Sequence, residues 1–251
     1  MDKKADAGLS ELEERLKFLR EIGADFVFKA NRPPADVEPV RPEAGAAAAA
    51  GALSPELAEP LGPPSNNIAS IHEEILRCRK CPLAEGRSRA VPGEGNLAAE
   101  LMFVGEGPGH DEDAQGRPFV GRAGQLLTKI IAAMTYDRKD VFITNIVKCR
   151  PPNNRVPHRD EVEACAPYLL AQIRSIRPKV IVTLGKSATD FFVPDAFGGM
   201  TSIRGNFYAW HGVQVMPTFH PSYLVRNEGN KAIKKMVWDD MQKVMVLLGK
   251  K

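Results

Sequence analysis

The chain has 251 residues, 43% of them hydrophobic, with 34 Lys and Arg against 31 Asp and Glu and four cysteines. That apolar share supports a sizeable core, while the lack of a bilayer-length apolar run and of a signal-peptide h-region after Met1 points to a soluble cytoplasmic protein, with no membrane partner. The net charge of +3 is uneven, with eight Lys/Arg and twelve Asp/Glu in residues 1–66 and 26 and 19 in the remainder; a basic body suits a phosphate-rich partner without requiring one.

Ser10-x-x-Glu13 is a capping box, and it predicts a helix with Leu12, Leu16 and Leu19 on one face and Gly23 as its stop. Residues 1–30 are therefore read as an N-terminal helical extension. Residues 31–66 carry Pro33-Pro34, the alanine run Ala46 to Ala50, Pro60 and Pro63-Pro64; such a stretch buries too little apolar surface to offset the entropy of ordering and is read as a linker. The compact domain spans 67–251. It opens with a helix through Ile68, Ile71 and Ile75 that runs into Cys78-Arg-Lys-Cys81-Pro82. The strand Leu101 to Val104 then stops at Gly105, Gly107 and Gly109, followed by a long polar loop with Asp111, Glu112 and Asp113 and a helix start near Gly121. Further on, the pattern predicts a helix through Leu126, Leu127, Ile130 and Ile131, a strand Val141 to Val147, a helix through Val162, Cys165 and Leu169, and a buried strand Val180 to Leu184. A last strand, Val213 to Phe219, ends in His220-Pro221-Ser222, and a helix from about Lys231 closes the chain. Strands alternating with helices predict an α/β fold, a three-layer α/β/α arrangement around a central, mostly parallel four-stranded sheet. Polar loops at the carboxyl ends of parallel strands share one rim, where ligands bind in such sheets.

Two nucleotide signatures are incomplete. Gly105-x-Gly107 has His110 where a dinucleotide fingerprint needs its third glycine, and Gly185-Lys186-Ser187 has Val180 where a P-loop needs its first; no nucleotide cofactor is expected. The four cysteines, Cys78, Cys81, Cys149 and Cys165, all lie in the compact domain. A C-x-x-C pair with two further single cysteines is a metal arrangement; zinc, an iron–sulfur cluster and a metal-free set of buried thiols all remain open on spacing.

Four motifs in one order carry a resemblance: Gly105-Glu-Gly-Pro-Gly-His-Asp-Glu-Asp113, Gly116-Arg-Pro-Phe-Val-Gly-Arg-Ala-Gly-Gln-Leu-Leu127, Thr144-Asn-Ile-Val-Lys-Cys-Arg150 and His220-Pro-Ser-Tyr-Leu-Val-Arg226. With the cysteines in matching places, the sequence over roughly 67–247 resembles the family 4 uracil-DNA glycosylases, the iron–sulfur members of their superfamily. The resemblance implies a [4Fe-4S] cluster on Cys78, Cys81, Cys149 and Cys165, and a monomer that hydrolyses the N-glycosidic bond of deoxyuridine in DNA, releasing uracil and leaving an abasic site. In one place the chain departs from the pattern: Gly107 stands where the motif usually has alanine, beside the reacting sugar. The basic, histidine-containing insert of the branch that traps DNA covalently is missing from 114–121.

Under that resemblance each residue type suits a task. Base flipping brings the nucleotide into a pocket. There Asn145 reads O4 and N3–H, Phe119 is the stacking surface, and Gly105 and Gly107 belong to the uracil site, with Glu112 near C5 to exclude thymine. His220 donates to O2, and Glu106 orients water or stabilises the sugar cation; Asp113 and His110 are second-rank candidates. Gly185-Lys186-Ser187, at a helix start, offers backbone N–H groups to a phosphate, and Tyr223, Leu224 and Arg226 form the segment that enters the duplex, with ordinary core packing the alternative for Leu224. Two competitors stand beside this reading: a damage-sensing module of the same fold that binds without turnover, and a metal-bearing scaffold whose acidic loop is merely solvated.

Overall fold

The computed structural model describes residues 13, 16–18, 20, 68–194, 196 and 198–250. The expected linker over 31–66 lies outside them, as does most of the extension over 1–30, including Ser10, Leu12 and Leu19. The five described residues of the extension are helical. Among them it is Phe18 that is buried, in an apolar groove that it shares with Leu126, Ile130, Leu224, Val237 and Trp238.

Helix α1 (Ile68–Arg77) forms where Ile68, Ile71 and Ile75 recur at helical spacing, and those are the residues it buries. Next come α2 (Leu83–Gly86), β1 (Glu94–Gly95), β2 (Leu101–Gly105), α3 (His110–Gln115), α4 (Arg122–Ala133) and β3 (Phe142–Asn145). A 3-10 turn at Pro152–Asn154 leads to α5 (Arg159–Ile176), β4 (Val180–Leu184), α6 (Lys186–Phe192) and α7 (Met200–Ile203). The chain closes with β5 (Tyr208–Trp210), β6 (Val213–Thr218), α8 (Pro221–Arg226) and α9 (Lys231–Leu247).

The sheet runs β1-β3-β2-β4-β6-β5. Its inner four strands are parallel, as expected from the four apolar runs. Two short antiparallel edge strands, β1 and β5, raise the count to six; at two and three residues they are too short to show an alternating pattern. Every residue of β2 and β4 is buried, because side chains leave a central strand on alternate faces and both faces are covered. Met102 and Val104 join Ile75, Leu169 and Ile173 on one side. Leu101 and Phe103 join Leu127, Ile131, Val237 and Met241 on the other. Helix α9 is pinned to β6 through the buried Asp240 carboxylate, which accepts from Thr218 Oγ1 at 2.6 Å and Arg204 Nε at 2.9 Å. No helix among the described residues is long and apolar enough to cross a membrane.

The segment after β2, expected as a long loop, folds its three acids into the first turn of α3. Acidic groups there complement the helix dipole, and Gly116 ends the helix in the left-handed region at φ 71°. Six residues are too few for periodicity to reveal. Gly124, near the start of α4, lets that helix close onto the Phe119 backbone, because a Cβ at 124 would fall on the Phe119 carbonyl. Gly124→Ala is therefore expected to cost about 1–3 kcal/mol of stability by overpacking, read as a lower urea midpoint at unchanged slope; an unaltered midpoint would mean that α4 can retreat freely.

Candidate active site and metal centre

The carboxyl ends of the four parallel strands bring the expected residues to one rim, with Glu106 after β2, Asn145 at the end of β3, Gly185 after β4 and His220 after β6. Gly105 sits so close to Asn145 and Phe119 that an added Cβ would come within 2.5 Å of Asn145 Oδ1 and of Phe119 Cζ. The Phe119 and His220 rings are 5.8 Å apart and tilted by 35°. Asn145 is buried, and its Oδ1 has no hydrogen-bond partner. Such an orphan acceptor is costly unless a ligand meets it.

Phe119 is held in place by its backbone. It has φ 50°, unusual for a bulky residue, and two side chains, Arg138 and Glu112, enforce it. Arg138 donates to Phe119 O at 3.0 Å and Pro118 O at 2.7 Å. Glu112 Oε1 accepts from Val120 N at 2.8 Å and Gly121 N at 3.0 Å, and its Oε2 accepts from Gly109 N at 3.1 Å. The Glu112 carboxylate is thus turned onto backbone amides, away from the role expected for it beside C5. Asp113 is buried likewise, accepting from Ser88 N at 3.0 Å, while His110 is an exposed neighbour of Asp111.

Ser222 N–H donates to His220 Nδ1 at 3.1 Å, and Ser222 Oγ lies 2.7 Å from the same nitrogen; with Nδ1 as the acceptor, the proton of the neutral ring sits on Nε2. Burial, with the Arg226 charge as a smaller contribution, holds the imidazole down at about 4, so it is neutral at physiological pH. Glu106 accepts a short hydrogen bond from Ser187 Oγ. That contact uses the Ser187 hydroxyl and leaves its backbone N–H, the group expected to meet a phosphate, at the start of α6. Lys186 is ion-paired with Asp190 on the exposed face of α6. Leu224, expected to enter the duplex, is instead 3% exposed and packed in the core, because α8 turns it inward against α4 and α9. Its neighbours Tyr223 and Arg226 are the exposed residues of that helix. The position of Gly107 also differs from expectation: a methyl there would approach Val147 Cγ2 at 2.9 Å and Pro151 Cδ at 3.5 Å, facing the turn after β3.

That turn leads to the cysteines. None is disulfide-bonded, and all four line one cavity with Lys80, Lys148 and Tyr168. Cys78 follows α1, Cys81 precedes α2, Cys149 lies in the turn after β3 and Cys165 on α5. Burial pushes the Cys165 thiol up to about 12 and also raises Cys149 and Cys81, so metal-free they would be neutral thiols. Yet cations face them. Arg87 Nη1 donates to Cys149 Sγ at 3.0 Å, and Lys148 is 1% exposed. The Lys148 ammonium donates to Asn145 O and Gln172 Oε1, each at 2.8 Å, and to Thr144 Oγ1; no carboxylate pairs with it among the described residues. Burial pulls its affinity for the proton down to about 7. An anionic group on the cysteines would relieve that cost. Of the basic residues next to the cysteines in the chain, Arg77 pairs with Glu73, and Arg150 with Asn154. Arg87 and Arg138 had no local signal, since their partners lie 62 and 19 positions away.

Comparison with known proteins agrees with this geometry. The family model of the uracil DNA glycosylase superfamily matches residues 92–242. A type-4 uracil-DNA glycosylase of Thermotoga maritima is 49% identical over 181 residues, 72% of this chain and 94% of that protein. Two proteins of Pyrobaculum aerophilum separate the branches. Its type-4 uracil-DNA glycosylase is 46% identical over 168 residues, 64% of this chain and 85% of that protein. Its type-5 uracil-DNA glycosylase is 31% identical over 195 residues, again 64% and 85%. A sheet rim that brings Asn145, Phe119, His220 and Glu106 together, beside four cysteines that line one cavity, and likeness of this extent place the chain in the uracil-DNA glycosylase superfamily, among its type-4 members.

Proposed function

We propose that this chain is a monofunctional uracil-DNA glycosylase acting as a monomer on uracil-containing DNA, without a nucleotide cofactor. The observation that carries the reading is the buried, unpartnered Oδ1 of Asn145 between Phe119 and the His220 side of the rim. Uracil offers N3–H to that oxygen and O4 to the amide nitrogen of the same side chain. Inside a duplex these edges are paired and the glycosidic bond is hidden, so the nucleotide must be flipped out, at a cost of a few kcal/mol. Phe119 then provides the flat surface beneath the base.

Cleavage separates positive charge on the sugar from negative charge on uracil. His220 Nε2–H, fixed as the donor by the Ser222 contact, meets the charge that develops on O2. A neutral imidazole suffices, since it gives a hydrogen bond and keeps its proton. Glu106, held by Ser187, is read as the carboxylate that stabilises the sugar cation or orients the water. Water adds its hydroxyl to C1′, its remaining proton finishes on uracil N1, and no protein bond is formed. Ser187 is thus a positioning residue for Glu106, and Glu112 a clamp for the Phe119 loop. Tyr223, Arg226 and Lys186, exposed on the rim, are read as the DNA-facing groups.

The four cysteines are read as ligands of a [4Fe-4S] cluster. They line one cavity with Lys80, Lys148 and Tyr168, and a cluster takes one thiolate at each iron. Facing Lys148 and Arg87, the cysteines also suit a group of net negative charge. When bound, the cluster supplies a cross-link among α1, α5 and the turn after β3; hydrolysis itself transfers no electrons.

Asn145→Ala or His220→Ala should each lower single-turnover excision from uracil-containing oligonucleotides by about 10²–10³-fold or more, with circular dichroism unchanged; tight retention of DNA without cleavage by the unaltered chain would instead favour the sensing module. Because His220 is already neutral well above a pH of about 4, its contribution should stay flat between about pH 5.5 and 8. A rate that follows protonation near pH 6.5, and loses that dependence in His220→Gln, would show that the imidazolium is needed. The purified protein should be brown and hold about four irons per chain, and Cys165→Ala should lose both colour and stability.

A further inference from the structure

The base-reading amide and the metal centre meet at one side chain. Lys148 is buried beneath the turn from Asn145 to Cys149, lines the cysteine cavity, and grips the Asn145 backbone carbonyl at 2.8 Å. Its other acceptors are anchored in turn. Gln172 Nε2 donates to Pro92 O at 2.7 Å, and Thr144 Oγ1 donates to the same carbonyl at 3.0 Å. Val91 N donates to Lys148 O at 2.8 Å, closing the network on the segment before β1. The turn is also tied to the β2 loop, with Ile146 N donating to Gly105 O at 2.9 Å and Val147 N to Glu106 O at 3.2 Å. All the acceptors of the ammonium among the described residues are neutral, and the cavity that it shares with the four cysteines is where a group of opposite charge would face it.

We propose that Lys148 is a positioning residue for base recognition and the counter-charge of the cysteine-bound cluster, so that the Asn145 amide is correctly set only when the metal centre is filled. The inference rests on the cluster reading. The cluster's charge holds the ammonium under the turn, the ammonium holds the Asn145 carbonyl, and the carbonyl fixes the base from which the side chain projects. The metal centre is then a part of the reading head for uracil as well as a cross-link.

Iron content and visible absorbance of the unaltered chain are measured first; their absence sinks the cluster reading itself, and this inference with it. Given a cluster, Lys148→Met is compared with the unaltered chain in two measurements. The midpoint potential of the cluster should become more negative, because removing a nearby positive charge disfavours the reduced form. Affinity for an oligonucleotide carrying 2′-fluorinated deoxyuridine, which resists cleavage, should fall by about 10- to 100-fold, while affinity for the matched thymine oligonucleotide stays the same. In an Asn145→Ala background the same lysine substitution should cost little further uracil affinity. An unshifted potential, an equal loss on both oligonucleotides, or a full additional loss in the Asn145→Ala background would overturn the proposal. Should Lys148→Met fail to fold, Gln172→Met keeps the charge and removes one of its anchors: uracil affinity should fall with the potential unchanged, and unchanged affinity would be the contrary result.

Discussion

An ammonium buried without a carboxylate is the constraint around which this domain is arranged. Desolvating a charge costs several kcal/mol unless hydrogen bonds and opposite charge compensate it. Lys148 satisfies the first need with Thr144, Asn145 and Gln172 and leaves the second to whatever the four cysteines hold. To accommodate it, the chain after β3 must curl rather than extend. That is why the apolar stretch expected as a strand to Val147 stops pairing at Asn145. The curl turns Asn145 into the rim, sends Cys149 to the cavity beneath, and leaves Ile146 and Val147 to zip onto the loop that carries Glu106. The Asn145 side chain, the cysteine cavity and the loop that carries Glu106 meet at a single turn.

The facing wall is built by a different device. Phe119 occupies a backbone region that its own side chain disfavours, and Glu112 and Arg138 hold it there from two directions. Strain of this kind survives only where surrounding contacts over-determine it, and it concentrates at functional sites. Gly124 contributes by absence, because no side chain stands between α4 and the Phe119 carbonyl. A ring fixed in advance loses little freedom when a flat base stacks on it, and a preorganised pocket spends less of its binding energy on ordering.

Two assignments show how the same residues serve different ends once placed. Ser187 and Lys186 open a helix, a location that favours anions, yet the serine supports Glu106 and the lysine pairs with Asp190. Leu224 lies within the His220 motif, yet α8 turns it into the core beside Phe18, and the exposed aromatic of that helix is Tyr223. In each case packing and pairing within the fold outweigh the general tendency of the residue type.

Much of this was legible from the chain. Continuous apolar runs marked the four parallel strands, since a strand covered on both faces must be apolar throughout; the glycine, Asn and His motifs marked their carboxyl ends; and the four cysteines, spaced to meet, line one cavity. These are local properties, and local chemistry dictates them. What the sequence could not supply was direction and distant partnership. Periodicity shows that a residue is buried, as for Leu224, only when its helix is long enough to have a readable face, and α8 has six residues. The acid that clamps Phe119 reads the same as one that lines a pocket, because a carboxylate near glycines can turn either way. The Glu106–Ser187 contact joins positions 81 apart, and Arg87 meets Cys149 from 62 away. In the sequence Lys148 is one of several basic residues beside the cysteines, able to balance charge there or to reach a phosphate. Only the tertiary structure, by drawing β3 and α5 together over its side chain, made it the buried charge on which the site depends.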